Sequence, residues 1–193
     1  MTFLSRRFDD ALVYANTIHA SQTRKGTSIP YMSHLLGVAS LTLEHGGGED
    51  QAIAALLHDA VEDCGGEGRL AEIRSRFGED VASIVDDCTD TRGDPKPDWW
   101  QRKRKYVSSL GKKPARSLLV SLADKTHNAG AIVSDLHIIG EALWDRFTVS
   151  REGTIWYYGA LAAAFAESLS GSAADPLLGL YRRRVDEMQQ LAA

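Results

Sequence analysis

Apolar residues recur every three or four positions along this chain, in runs separated by glycine or proline. That spacing marks amphipathic helices rather than strands, whose sides alternate. Phe8, Leu12, Ala15 and His19 share one stripe of a first helix. Gly26 to Pro30 reads as a loop, and a second helix runs from about Tyr31 to His45, where Gly46-Gly47-Gly48 stops it. A third spans about Asp50 to Glu62, with Ile53, Leu56 and Leu57 apolar, and Gly65-Gly66 ends it. Shorter helices follow near Leu70 to Phe77 and Glu79 to Cys88, parted by Gly78. Arg92 to Pro97 is the clearest loop, and Trp99 to Leu110 reads as a charged helix. Pro114 suits the first turn of the next helix, which carries Ser117 to Ala131. Ile138 to Phe147, Gly153 to Leu169 and Pro176 to Leu191 complete the set. With no alternating strand pattern, internal repeat or interdomain linker, the expectation is one all-α domain over residues 1–193, of about nine or ten helices.

Composition narrows the classes of partner. A chain of 193 residues with 44% hydrophobic and 25% charged content suits one soluble domain with a sizeable core. Its net charge of -4 gives no global pull toward nucleic acid or an anionic membrane, so a phosphate-bearing ligand needs local positive groups or a metal. Cys64 and Cys88 make no CxxC pair and are too few for a disulfide framework, which fits reduced thiols in a cytoplasmic setting. Met1 to Asp10 carries no apolar signal-peptide core, and Ala160 to Ala166, the longest apolar candidate, falls short of a membrane span.

The chemistry concentrates in His58-Asp59-Ala60-Val61-Glu62-Asp63. A lone histidine or acidic pair is ordinarily a packed or solvated residue, which is the reading for His19, His45, His137, Glu49-Asp50 and Asp86-Asp87. The run at His58 differs because Leu56, Leu57 and Val61 flank its charges on a largely apolar helix, and charges beside a core need a partner. His34, His58, Asp59 and Asp124 form a candidate first shell for a metal. Imidazole and carboxylate together suit Mn, Fe or Zn, and the lack of thiolates argues against structural zinc. Adjacent ligands on one helix can straddle a point beside it, being ~100° apart around the axis. His34 and Asp124 would arrive from two other helices, as in a bundle-core site. Glu62 and Asp63 follow His58 and Asp59 by four residues each, on the same helix face, where carboxylates can orient or deprotonate a water. Asn128 stands in the same relation to Asp124 and can point an amide at a substrate above the metal.

The order of these words resembles a known family. His34, His58-Asp59 and Asp124 are similar to the HD-domain metal phosphohydrolase pattern. His19-Ala-Ser-Gln-Thr-Arg-Lys25, Pro30-Tyr-Met-Ser-His34, Ala55 to Asp63, Phe77-Gly-Glu-Asp-Val81 and Leu122-Ala-Asp-Lys-Thr-His-Asn128 resemble the hydrolase domain of RelA/SpoT-type proteins. The likeness is concentrated in residues 8–128, with no room for a synthetase domain, so the match is to the small single-domain alarmone hydrolases. It implies an HD-domain helical bundle with the metal site in its core, and Mn(2+)-dependent release of pyrophosphate from the 3′ position of (p)ppGpp, leaving GDP or GTP. It further implies that His34, His58, Asp59 and Asp124 hold the metal and that Glu62 and Asp63 manage the water. Arg24, Lys25 and Asn128, with Tyr157 in a looser motif, would contact the nucleotide.

The chain departs from the family's pattern in two places. Asn128 is followed by Ala129-Gly130 where the family has Met or Leu and then Arg, and Thr126 replaces a leucine. The loop glycine, Gly26, comes directly after Lys25 rather than a few residues later. Both bear on which nucleotide is taken, with adenosine alarmones such as pppApp, a nucleoside monophosphate and NADPH as alternatives. A nucleotide-sensing module without activity is the reading from another class, and the filled metal and water positions oppose it. The basic run Arg102-Lys103-Arg104-Lys105, beyond Trp99-Trp100, is either a lid over phosphate or, as the favoured reading, a solvated helix face; Arg182 to Arg184 is read as solvated.

Overall fold

The computed structural model describes residues 3–91 and 97–193. The expected Arg92–Pro97 loop therefore lies, apart from Pro97, outside the described residues. The rest is all-α, as the periodicity predicts. The helices are α1 (Arg6–Ile18), α2 (Met32–Glu44), α3 (Glu49–Leu57), α4 (Ala60–Asp63), α5 (Gly66–Phe77), α6 (Glu79–Cys88), α7 (Trp99–Ser109), α8 (Ala115–Ile139), α9 (Arg151–Leu169) and α10 (Asp175–Leu191). Two short 3-10 segments, Leu110–Lys112 and Gly140–Arg146, join them. No helix among the described residues is long and apolar enough to cross a membrane.

Local chemistry sets the helix ends. The Ser5 hydroxyl accepts from the Arg7 N–H to start α1, Asp98 does the same for α7 from the Gln101 N–H, and Pro176 stands in the first turn of α10. Gly140, at φ +58°, ends α8 in a conformation that side chains other than glycine's resist. Here the chain differs from the sequence reading: α8 continues to Ile139, and the stretch expected as a helix from Ile138 to Phe147 is a 3-10 segment after that glycine.

Two helical stretches form the centre. In α3 every residue from Ala52 to Leu57 is buried, and in α8 every residue from Ser117 to Asp124 is buried. A helix buried all round is a core element, and the others wrap these two. α3 packs against α1, α2, α6 and α8, while α8 also meets α9, α10 and the second 3-10 segment. Arg7 ties the outside together by donating to Asp50 (2.8 Å) and to the Phe77 carbonyl (2.8 Å).

The third helix expected from Asp50 to Glu62 is two. α3 ends at Leu57, and His58 and Asp59 form the turn before α4. The cause is a side chain: His58 Nδ1 donates to the Ala55 carbonyl at 2.8 Å. A continuous helix would offer that carbonyl to the Asp59 N–H. The proposed ligands thus project from a helix break rather than from one helix face.

Because α3 is packed on all sides, Ile53→Ala should cost about 2–5 kcal/mol of unfolding free energy in a denaturant titration. A loss below about 1 kcal/mol would contradict its place in the core.

Candidate functional site

Four side chains from three places meet in the bundle core. His34 comes from α2, His58 and Asp59 from the turn after α3, and Asp124 from the middle of α8. His34 is 0% exposed, His58 2% and Asp124 5%. His34 Nε2 and His58 Nε2 lie 3.3 Å apart. Asp59 Oδ2 is 3.0 Å from His58 Nε2 and 3.7 Å from His34 Nε2. Asp124 Oδ1 is 3.3 Å from His34 Nε2 and 3.5 Å from His58 Nε2. Donors at ~2.1 Å from a common ion stand ~3–3.5 Å from one another, so these separations are those of a coordination shell. His34, His58 and Asp59 alone already satisfy the geometry of a metal-binding group.

Each donor is aimed by a neighbour. The His58 bond to Ala55 puts a proton on Nδ1 and turns Nε2 toward the cluster. His34 Nδ1 faces His127 Nδ1 at 3.0 Å. Burial, followed by His34 and Arg24, lowers the His127 pKa to about 4, so at neutral pH its ring is uncharged and able to accept from His34. That ring lies against Gly37, where a Cβ would stand 2.2 Å from His127 Cδ2. The Tyr31 hydroxyl donates to Asp59 Oδ2 at 2.5 Å, and Lys125 Nζ donates to Asp124 Oδ2 at 2.6 Å. None of Tyr31, Lys125 and His127 was singled out from the sequence. The available signal was spacing: Tyr31 stands three residues before His34, and Lys125 and His127 sit between Asp124 and Asn128.

Burial and charge oppose each other here. Burial works against a proton on His58, yet the Asp59 and Asp124 carboxylates hold its pKa well above the usual value. Burial also pushes the two carboxylates up, but His58 and His34 beside Asp59, and Lys125 and His58 beside Asp124, bring both well below the ordinary range.

The expected substrate residues divide. Asn128 donates to Asp124 Oδ1 (2.6 Å) and accepts from Arg24 Nη2 (2.8 Å), which links the cluster to the loop before α2. That loop is pinned by an isolated bridge between Thr23 and Pro30, and Lys25 Nζ reaches Thr148 Oγ1 at 3.0 Å. Arg24, Lys25, Tyr31 and Asn128 line a cavity of about 390 Å³ beside the cluster, and Tyr158 lines it from α9. Tyr157 is not brought there. It turns to Trp99, with the Lys103 ammonium 5.0 Å over its ring, and its buried hydroxyl has no hydrogen-bond partner among the described residues. Glu62 and Asp63 flank the cluster: Asp63 accepts from Gln22 (2.8 Å), and Glu62 lies 3.8 Å from Arg102.

The basic run is not one solvated face. Arg102 and Lys103 both bind the nearly buried Asp90, at 2.8 and 2.5 Å, while Arg104 and Lys105 are exposed.

Residues 11–143 match the HD domain family model. The chain is 39% identical over 122 residues to the guanosine-3′,5′-bis(diphosphate) 3′-pyrophosphohydrolase MESH1 of Xenopus tropicalis, covering 62% of this chain and 65% of that one. It is 33% identical over 130 residues to the Drosophila melanogaster protein of the same name, covering 66% of this chain and 70% of that one. The chain thus spans just under two thirds of the frog relative's length. Among solved structures, a metazoan ortholog of SpoT that hydrolyzes ppGpp superposes with a TM-score of 0.74 at 27% identity, over 95% of this chain and 98% of that one. A Listeria monocytogenes EGD-e protein does so with a TM-score of 0.73 at 28% identity, over 81% of this chain and 99% of that one.

A cation held by these side chains would compete with the proton that Asp59 and Asp124 favour on His58. Calorimetric titration with Mn(2+) at pH 7 in two buffers of different ionisation enthalpy should therefore show release of ~1 proton, with affinity falling as the pH is lowered. Equal apparent enthalpies in both buffers would contradict it. Gly37→Ala forces a methyl group into the His127 ring and should weaken metal binding about 10- to 100-fold.

Proposed function

The chain belongs to the HD domain family, and from that premise we propose that it hydrolyses the 3′-pyrophosphate of guanosine alarmones, (p)ppGpp to GDP or GTP and pyrophosphate. The reading takes residues 1–193 as one hydrolase domain acting in the cytoplasm on a nucleotide, with Mn(2+) as its metal. The observation that carries it is the continuity from the ligand cluster through Asp124 and Asn128 to Arg24 in the adjoining cavity.

His34, His58, Asp59 and Asp124 are the residues that would hold the ion, and their two imidazoles and two carboxylates suit Mn(2+). A divalent cation there supplies charge neutralisation on the phosphate oxygens and lowers the pKa of water toward neutrality. Glu62 and Asp63 orient the attacking water and take its proton, Glu62 with Arg102 at its side and Asp63 held by Gln22. Water oxygen bonds to the phosphorus next to the ribose, the bond from that phosphorus to O3′ breaks, and pyrophosphate leaves with the new oxygen. O3′ receives the proton. Lys25 neutralises phosphate, Arg24 offers a planar guanidinium to the purine, and Asn128 meets the ribose. The aromatic contact from α9 falls to Tyr158, which lines the cavity, rather than to Tyr157.

Purified protein with Mn(2+) should convert ppGpp to GDP and pyrophosphate. No turnover at micromolar enzyme, with metal confirmed bound, rejects this reading. His58→Ala and Asp59→Ala should lose metal and activity together. Glu62→Gln should keep the metal and lower kcat by about 10²- to 10⁴-fold. If metal analysis of Asp59→Ala matched the parent, the ligand assignment would be wrong.

A further inference from the structure

The cavity beside the cluster ends in a charged pair that the proposed reaction does not use. Asp135 on α8 and Arg146 at the end of the second 3-10 segment both line it, and Arg146 Nη1 donates to Asp135 Oδ2 at 2.9 Å. The walls leading to the pair are apolar, formed by Ile132, Leu143 and Phe147. A single bond engages one carboxylate oxygen and one guanidinium nitrogen. A carboxylate can accept several hydrogen bonds and a guanidinium can donate five, so each group keeps capacity for a ligand.

The pair stands at a fixed distance from the chemistry. Asp124, Asn128, Ala131 and Asp135 are spaced by four, three and four residues and so share one stripe of α8. The rise from Asn128 to Asp135 is ~10 Å, the scale of a nucleoside lying along the helix. With the ribose at Asn128, the far edge of the base arrives at Asp135 and Arg146.

The opposite wall is shaped to admit Arg146. Gly26 has φ +71°, and a Cβ on it would lie 2.7 Å from Arg146 Cδ. The glycine directly after Lys25, a departure from the family's spacing, is thus the residue that lets this arginine close the cavity. Lys25 fastens the same loop to Thr148, two residues beyond Arg146.

We propose that Asp135 and Arg146 read the base edge of the substrate and select guanine over adenine. Guanine presents amino and imino donors beside the O6 and N7 acceptors, which match a carboxylate next to a guanidinium. Adenine presents an unprotonated ring nitrogen where the carboxylate would accept and an amino donor where the arginine would donate, leaving both charged groups badly paired. The inference rests on the nucleotide reading above and names the determinant of its specificity.

The test compares ppGpp with its adenosine counterpart in the parent, Asp135→Asn and Arg146→Gln, each with Mn(2+) and a melting curve to confirm folding. The parent should favour the guanosine substrate, and each variant should cut the ratio of kcat/KM values about tenfold or more, with the loss mainly in KM. Metal affinity should stay at the parent value. A ratio unchanged in both folded variants overturns the proposal and leaves the pair as a structural clasp. Calorimetric binding of GDP and ADP to the same proteins separates this idea from the hydrolase reading. If the parent turns over neither substrate, the hydrolase reading fails, while a GDP preference lost in both variants still supports base selection. Equal binding of GDP and ADP by the parent overturns it.

Discussion

Buried charge is the constraint from which the rest of this site follows. The two stretches of helix with no exposed side, Ala52–Leu57 and Ser117–Asp124, lead directly to His58 and Asp124. An uncompensated carboxylate or imidazolium there would cost several kcal/mol, since no water screens it. The structure answers with pairing on every side: Lys125 and Asn128 on Asp124, Tyr31 on Asp59, the Ala55 carbonyl on His58 and His127 on His34. These bonds also fix orientation. The two Nε2 atoms, Asp59 Oδ2 and Asp124 Oδ1 face a common point, where a divalent cation would find two carboxylates to neutralise it. Stability and chemistry therefore ask the same thing of the same side chains.

The clustering of His34, His58, Asp59 and Asp124 was legible in the sequence because polar residues interrupted apolar runs at helical spacing, and a charge inside such a run has few explanations. Helix positions were legible for the same reason. The break at His58 was not, because it depends on a side chain competing for a backbone carbonyl, and hydrophobic periodicity does not register that competition. The same limit explains the 3-10 segment after Gly140, where apolar content persists although the helix has ended. Tyr157 and Tyr158 show a sharper limit. Adjacent residues on a helix differ by ~100°, so a motif that places an aromatic to within one residue leaves its side of the helix undecided. In the fold Tyr157 packs against Trp99 while Tyr158 lines the cavity.

The basic run after Trp99-Trp100 illustrates how a buried acid can override composition. Four consecutive cations read as solvent-facing, yet Asp90 draws Arg102 and Lys103 inward and leaves Arg104 and Lys105 outside. The partner lies twelve residues upstream of Arg102, across residues 92–96, so no local pattern announces the pairing. Its effect is to place the Arg102 guanidinium 3.8 Å from the Glu62 carboxylate, so the buried acid also sets the charge beside the His58–Asp63 run.

The last third of the chain enters through a glycine. The resemblance to the family weakens at Ala129-Gly130, where an arginine is missing after Asn128. In the fold, a guanidinium comes close from elsewhere: a Cβ on Gly130 would lie 2.8 Å from Arg184 Cζ, and Arg184 Nη1 donates to the Thr126 carbonyl at 2.6 Å. Arg184 was read as solvated, but α10 carries it onto α8 opposite the stretch that holds Asp124 and Asn128. A Cβ at position 130 would crowd that guanidinium, so the small residue gives the distant arginine its room. The same logic governs Gly37 with His127 and Gly26 with Arg146, each a glycine that admits one polar side chain from a remote segment. Two of the departures from the family pattern, Gly26 and Gly130, are thus each met by an arginine from later in the chain, Arg146 and Arg184, so the weakly matching last third packs against the loop before α2 and against α8 at those glycines.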